Sequence, residues 1–431
     1  MITGTTAAEI AGSVRALRER GMLRPGDALP PVRELAGHLG INRNTAVAAY
    51  RQLAQAGLVV SRGRAGTLIA GADSVAQEGI ADTVLHDVGS GNPDSGLIPD
   101  PTAALGRIVG RPVLYGEPVI DAGLEAWTRE WMLGDLLRDD MRICVTSGAV
   151  DAVERLLAQA LMRDDAVALE DPCFLASIHT VRLGGYRAMP VPVDDEGMTV
   201  DGLRAALDAG VRAIISTPRA QNPTGVSLTP ARAAALRDVL AEHPYVLIIE
   251  DDHFSLLSSH SYASLIGPEH RRYALVRSVS KFLGPDMCLA LTATDPTTAE
   301  RLSMRLSPGT TWVSHLLQRL AHAQLTDTGV RAQIEAAAAH YAAKNASFAA
   351  ALAARGIATA SDDGLSLWVR LDVPARVATE RLMRRGWLAR PGDEFRLDEA
   401  APPSHHLRLT VHDLSDDDAE RLVDDLAAAQ Q

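Results

Sequence analysis

Arg277-Ser278-Val279-Ser280-Lys281-Phe282-Leu283-Gly284-Pro285 holds one of only two lysines among the 42 basic residues of the chain, the other being Lys344. A chain this rich in arginine can place guanidinium wherever a plain positive charge is enough. Lysine is required where an amine must give up its proton and attack a carbonyl, because guanidinium does not deprotonate in a protein. Lys281 stands between small hydroxyl residues and a Gly-Pro turn, just after the apolar run Tyr273-Ala274-Leu275-Val276. The setting suits a Schiff-base lysine on a loop beside a phosphate. An ordinary surface lysine is the competing reading, and the surrounding chain must separate the two.

Outward from this loop, between about 143 and 295, apolar runs alternate with helical patterns. The runs are Ile143-Cys144-Val145, Ala166-Val167-Ala168-Leu169, Ala213-Ile214-Ile215-Ser216, Val246-Leu247-Ile248-Ile249 and Leu289-Ala290-Leu291-Thr292. Such alternation predicts an α/β domain with a mostly parallel sheet covered on both faces. Ligands of open α/β sheets gather at the carboxyl ends of the strands. There Thr146-Ser147-Gly148-Ala149 opens a helix whose free N–H groups could seat a phosphate, although many helices begin this way. Phe174, in Asp171-Pro172-Cys173-Phe174, could stack on a flat ring, although a single Phe is more often core. Asn222-Pro223-Thr224-Gly225 is a rigid turn that presents an amide. Glu250-Asp251-Asp252-His253 follows an apolar strand, and consecutive carboxylates there are costly unless something positive or protonated meets them. A pyridinium nitrogen would serve, kept protonated by an aspartate.

Towards the C-terminus the pattern becomes a smaller α+β domain, from about 330 to 431. It holds an alanine-rich helix (331–355), the strands 365–371 and 407–411, and a last helix starting near Ser415. Towards the N-terminus, residues 71–88 read as a linker, with turns at Gly91-Asn92-Pro93-Asp94 and Leu114-Tyr115-Gly116-Glu117-Pro118. Residues 1–70 read as three helices and a short hairpin. Proline opens the second helix, and Asn42 caps a third that carries Arg43, Asn44 and Thr45 in its first turn. Two short strands flank the basic tip Arg62-Gly63-Arg64. The pattern is a winged helix-turn-helix, with the third helix suited to a DNA major groove and the wing to backbone or minor groove.

Charge supports the division. The chain carries −12 overall, yet its first seventy residues hold nine arginines against four acids, a surplus of five that leaves −17 on the rest. A basic head on an acidic body points to a polyanion partner for the head alone. Cys144, Cys173 and Cys288 show no paired or metal-ligand spacing, so neither a disulfide framework nor a metal site is expected. Neither a membrane span nor a signal pattern is evident, and a cytoplasmic protein is expected.

The head, "LPPVRELAGHLGINRNTAVAAYRQLAQAGLV…RGRAGT", resembles the GntR-type DNA-binding domain. That resemblance implies DNA contacts from Arg33, Arg43, Asn44 and Thr45, with Gly66 in the wing. From 89 to 431, Asn-Pro-Thr-Gly, then an aspartate after a hydrophobic strand, then Ser-x-Ser-Lys resembles fold-type I, aspartate-aminotransferase-like proteins that use pyridoxal 5'-phosphate (PLP). Joined behind a GntR-type head, the whole resembles the MocR subfamily of bacterial transcription regulators. Its wording is most similar to the PtsJ group, linked to vitamin B6 metabolism and to genes such as that for pyridoxal kinase.

The resemblance implies that Lys281 forms the Schiff base and Asp251 faces the pyridine nitrogen. It implies Asn222 on the ring oxygen and Phe174 stacked on the ring. Ser147, Gly148, Ala149, Ser278 and Ser280 would surround the phosphate, joined by Tyr115 from the other subunit of a homodimer. Arg408 matches an arginine that clamps a substrate carboxylate; a strand arginine in a structural ion pair is the alternative. Two positions depart from the pattern. His253 replaces a tyrosine near the ring oxygen, and Cys288 replaces a phosphate-binding arginine. A regulator that binds operator DNA, with PLP or an amino compound as effector, is the leading expectation. A working aminotransferase with an accessory DNA-binding domain, and a regulator with a decayed site, are the alternatives.

Overall fold

The computed structural model describes residues 2–55, 58–61, 66–69, 83–108, 111–136, 138–307, 311–360, 363–398 and 400–431. The chain forms two compact units, Met1–Gln77 and Glu78–Gln431.

The N-terminal unit has helices Ala7–Glu19, Val32–Leu39 and Arg43–Gln55, and an antiparallel hairpin of Val59–Ser61 with Thr67–Ile69. Thr6 and Glu9 close a reciprocal capping box at the first helix, which satisfies two otherwise orphaned backbone donors. Pro31, expected inside the second helix, is instead its N-cap residue in extended conformation. Gly40 ends that helix in the left-handed region at φ 64°, where a side chain is strained. Asn42 Oδ1 then accepts the Asn44 N–H at 2.8 Å, which starts the third helix. Ile10, Val14, Leu35, Ala46, Leu53, Val59 and Ile69 close the core. The segment before the second helix also joins the hairpin: Leu29 N donates to Thr67 O, and Ile69 N to Asp27 O. The wing tip Arg62-Gly63-Arg64 lies outside the described residues.

The second unit is built on an eight-stranded sheet. Across it run Arg142–Thr146, Ala290–Thr294, Tyr273–Ser278, Leu247–Asp251, Ala213–Ser216, Ala166–Asp171, Arg187–Asp194 and Gly197–Met198. Only Ala290–Thr294 and the short Gly197–Met198 run against the rest. Alternate residues feed two cores. Ile143, Ala168, Ile214, Ile248 and Leu275 pack on one face, and Cys144, Val167, Ile215, Ile249 and Val276 on the other. Each fully buried aliphatic side chain contributes roughly 1.5–3 kcal/mol. The sheet is therefore buried on both sides, and its parallel strands end at one common edge.

A four-stranded antiparallel sheet, in the order Thr359–Ala360, Leu367–Arg370, His406–Leu409 and Arg390–Pro391, forms the smaller domain. Helices Thr328–Ala353, Ala375–Met383 and Asp416–Ala429 cover it, the last capped by Ser415. Residues 86–88, read from sequence as the end of a linker, are already tied to this domain. His86–Asp87 pairs in parallel with Trp387–Leu388, and Val88 N donates to Leu388 O. Among the described residues no helix is long and apolar enough to cross a membrane, and no acid, His or Cys cluster could hold a metal.

Candidate functional site

Four parallel strands deliver polar groups to the common edge. Tyr273–Ser278 ends one residue before the short helix Ser280–Leu283, whose second residue is Lys281. Leu247–Asp251 ends on Asp251 and is followed by Asp252 and His253. Ala213–Ser216 leads into the loop with Asn222, and Ala166–Asp171 ends at Glu170 and Asp171. Gly91, Asn222, His253, Lys281, Asp363 and Ser366 are among the walls of a small cavity at this edge.

The three consecutive acids have three different fates. Glu250 accepts from Tyr262 Oη at 2.5 Å and from Ser264 Oγ and Leu265 N; burial pushes its pKa up to about 7. Asp252 is held by two arginines. Arg219 forks onto both of its oxygens, and Arg277 Nε reaches Oδ2 at 2.8 Å. Burial alone would raise Asp252, but Arg277 and Arg219 outweigh it and keep the group below the usual carboxylate range. Arg277 also bonds Asp135 and lies over the rings of Trp131 and Tyr262. Asp251 differs from both. Its Oδ1 is buried with no hydrogen-bond partner among the described residues. Burial first, then Asp252 and Glu170, push its pKa up to about 7, while the charge of nearby Lys281 pulls it back. A buried acceptor left unmatched costs about 1–3 kcal/mol, and so marks a place for a donor. A ring with a protonatable nitrogen and an electrophilic carbon fits this acid and amine.

Asn222 is set by its neighbours. Gln221 Nε2 donates to Glu170 and to Pro172 O, and Gln221 Oε1 accepts from Thr224 N and Oγ1. Asn222 Oδ1 takes a bond from Arg408 Nη1 at 3.1 Å. Arg408 is fully buried, donates also to Gly89 O at 2.7 Å, and lies over the Phe395 ring.

At the neighbouring corner, Ser147 and Gly148 link Arg142–Thr146 to the helix Ala149–Ala160, with Gly148 at φ 97°. The Ser147 N–H donates to Asp151 Oδ2 at 3.0 Å, and Arg155 holds Asp151 from the other side at 2.7 Å. Ser278 Oγ donates to Ser280 Oγ at 2.9 Å. Phe174 is half-buried at the start of the helix Leu175–Leu183 and is not part of the cavity wall. Cys288 is exposed, with φ 41°. Tyr115 is 89% exposed, beside the Trp312 ring, and does not line the cavity of its own chain. In the head, Arg33, Arg43, Asn44 and Gly66 are exposed and Thr45 is half-buried.

Gly91-Asn92-Pro93-Asp94 is more than the turn its sequence predicts. It is part of a strap, Val88 to Asp94, that crosses the site. Thr410 N donates to Val88 O at 2.6 Å, and Gly91 N to Thr410 Oγ1 at 3.0 Å. Lys281 Nζ donates to Gly91 O at 2.7 Å. His412 Nε2 lies 2.9 Å from Asn92 O, and Asp94 N donates to Tyr341 Oη at 3.2 Å. Glycine is needed twice here. A Cβ on residue 89 would lie 2.9 Å from Arg390 N, and Gly91 sits at φ 64°.

Two family models match the chain: bacterial regulatory proteins of the gntR family over residues 6–69, and class I and II aminotransferases over 89–426. The vitamin B6 salvage pathway transcriptional repressor PtsJ of Salmonella typhimurium (strain LT2) is 46% identical over 431 residues, covering 100% of this chain and 99% of that protein. The pyridoxine biosynthesis transcriptional regulator PdxR of Corynebacterium glutamicum is 28% identical over 258 residues, covering 57% of this chain and 55% of that protein. Among solved structures, the kynurenine aminotransferase of Pyrococcus horikoshii superposes with a TM-score of 0.73 at 21% identity, covering 81% of this chain and 91% of that one. The chain therefore belongs to the class I and II aminotransferase family and, with its gntR-family regulatory domain in front, to the MocR-like regulators that join the two.

Proposed function

We propose that this protein is a DNA-binding transcriptional regulator of vitamin B6 salvage genes, in which PLP bound at Lys281 alters the grip of the head on operator DNA. The observation that carries the reading is the nearness of Lys281 to Asp251, a buried acid whose Oδ1 has no hydrogen-bond partner among the described residues. The full-length likeness to a B6 salvage repressor supports it.

When bound, PLP supplies an aldehyde for an amine and a ring that withdraws electrons. Lys281 would provide the amine, and Asp251 would keep a proton on the ring nitrogen. Asn222, whose oxygen is taken by Arg408, would offer its amide N–H to the ring oxygen. Phe174 would cover the ring, and Ser147, Gly148, Ala149, Ser278 and Ser280 would hold the phosphate. His253, on the cavity wall, would take the place of the tyrosine that the family resemblance puts near the ring oxygen. Tyr115 would serve the site of a second copy in a homodimer; its exposure, with that of Leu114 and Leu316 nearby in sequence and fold, supports such a face. Arg33, Arg43, Asn44 and Thr45 would meet DNA, with Gly66 shaping the wing. A regulator of this kind works in the cytoplasm.

Turnover as an aminotransferase is the second reading, favoured by the buried Arg408 beside Asn222, which suits a ligand carboxylate. An exposed Cys288 in place of a phosphate-binding arginine counts against it. Titration of the purified protein with PLP, followed by borohydride reduction and peptide mapping, should give a visible absorbance band and a label on Lys281. Footprinting on the protein's own promoter region should change with PLP. A colourless protein, or an identical footprint with and without PLP, would overturn the reading.

A further inference from the structure

The strap Val88–Asp94 meets the reactive amine directly, and it follows the short strand His86–Asp87 that pairs with Trp387–Leu388. Its bonds fall into two groups. Val88 O, Gly89 O, Gly91 N and Asn92 O are held by the smaller domain, through Thr410, Arg408 and His412. Gly91 O is held by Lys281, which belongs to the larger domain. One carbonyl thus joins the strap to the residue on which the proposed ligand acts.

We infer that the Lys281–Gly91 contact is a latch that reports whether the lysine is free or condensed, and that its release loosens the strap around Gly91. The inference rests on the PLP reading above. The condensation balances simply. The C=O bond of the aldehyde breaks and a C=N bond forms to Nζ. Two hydrogens of the ammonium leave with the carbonyl oxygen as water, and the third stays on nitrogen with the positive charge. Nζ goes from three rotatable donors to one, fixed in the plane of the new double bond. That donor cannot turn towards Gly91 O as the free ammonium does. A charged hydrogen bond onto a backbone carbonyl is lost, and the strap opens locally more often. The other anchors stay in place, so the response is a loosening of Gly91 and its neighbours and not an unfolding of the domain.

Hydrogen exchange of the full chain, with and without PLP, tests this together with the absorbance band. Peptides covering 86–96 and 404–414 should exchange about tenfold faster once the band has formed, while the sheet strand Leu247–Asp251 stays unchanged. A band without faster exchange in the strap overturns the latch and leaves PLP binding standing. No band overturns both. Lys281→Ala should show the fast strap exchange without PLP and no further change on adding it; slow exchange in this variant overturns the latch.

Discussion

Arg408 Nη1 lies 3.1 Å from Asn222 Oδ1, so a strand arginine of the smaller domain and the amide of an Asn-Pro turn in the larger one satisfy each other. A carboxylate ligand would have to share or break that bond. Arg408→Lys keeps the charge but loses the planar fork. It should leave the PLP band intact and weaken any spectral response to amino acids by about tenfold or more, read by titration of the PLP-loaded protein. An unchanged amino-acid titration would show that Arg408 serves only the fold.

Asp251 should contribute, alongside the similarly raised Glu250 and Glu170, to a pH dependence of the PLP-free protein's stability. Its folded pKa of about 7 stands above the roughly 3.9 of an unfolded aspartate, so between these values the folded chain binds a proton that the unfolded chain has lost. Stability is greatest below the lower value and falls as pH rises through about 7. Asp251→Asn should make this fall shallower by its own share and raise the melting temperature of the PLP-free protein at pH 8, while weakening PLP binding. Melting curves between pH 5 and 8 decide it; an unchanged slope would remove Asp251 as a source of it.

The Asp252 pair is a matter of stability. Asp252→Asn would leave Arg277 and Arg219 buried with their main counter-charge gone. Breaking a buried ion pair in this one-sided way costs about 3–5 kcal/mol. The urea midpoint of the second unit should drop accordingly, with DNA binding by the head retained at low denaturant.

Cys288→Arg restores a cation at the corner where the family resemblance places a phosphate contact. One charged bond is worth about 1.5–3 kcal/mol, so PLP loss on dialysis should slow by tenfold or more. Equal loss rates in the variant and the parent would show that position 288 does not face the phosphate.

Arg43→Ala should weaken operator binding and reduce its salt dependence, with the absorbance band unaltered. Binding isotherms at several salt concentrations check both.

Much of this was legible because the signals were local. Asn42 and Ser415 cap helices as their side chains dictate, and strands buried on both faces read as unbroken apolar runs. Arg187–Asp194 escaped notice because it lies towards the sheet edge, half-exposed, with prolines at 190 and 192 that blur the pattern. The partners of Asp252 were harder still. Val276 lies opposite Asp251 on the neighbouring strand, which brings Arg277 beside Asp252, and only strand register reveals that. The strap was invisible for the same reason: Gly91 and Thr410 are 319 residues apart in the chain.

At the corner after Arg142–Thr146, Asp151 already sits on the Ser147 N–H, braced by Arg155. If the phosphate of the proposed ligand docks at this corner, it would compete with the Asp151 carboxylate for the Ser147 N–H. Occupancy would then follow the surrounding vitamer concentration, as the sensing reading requires.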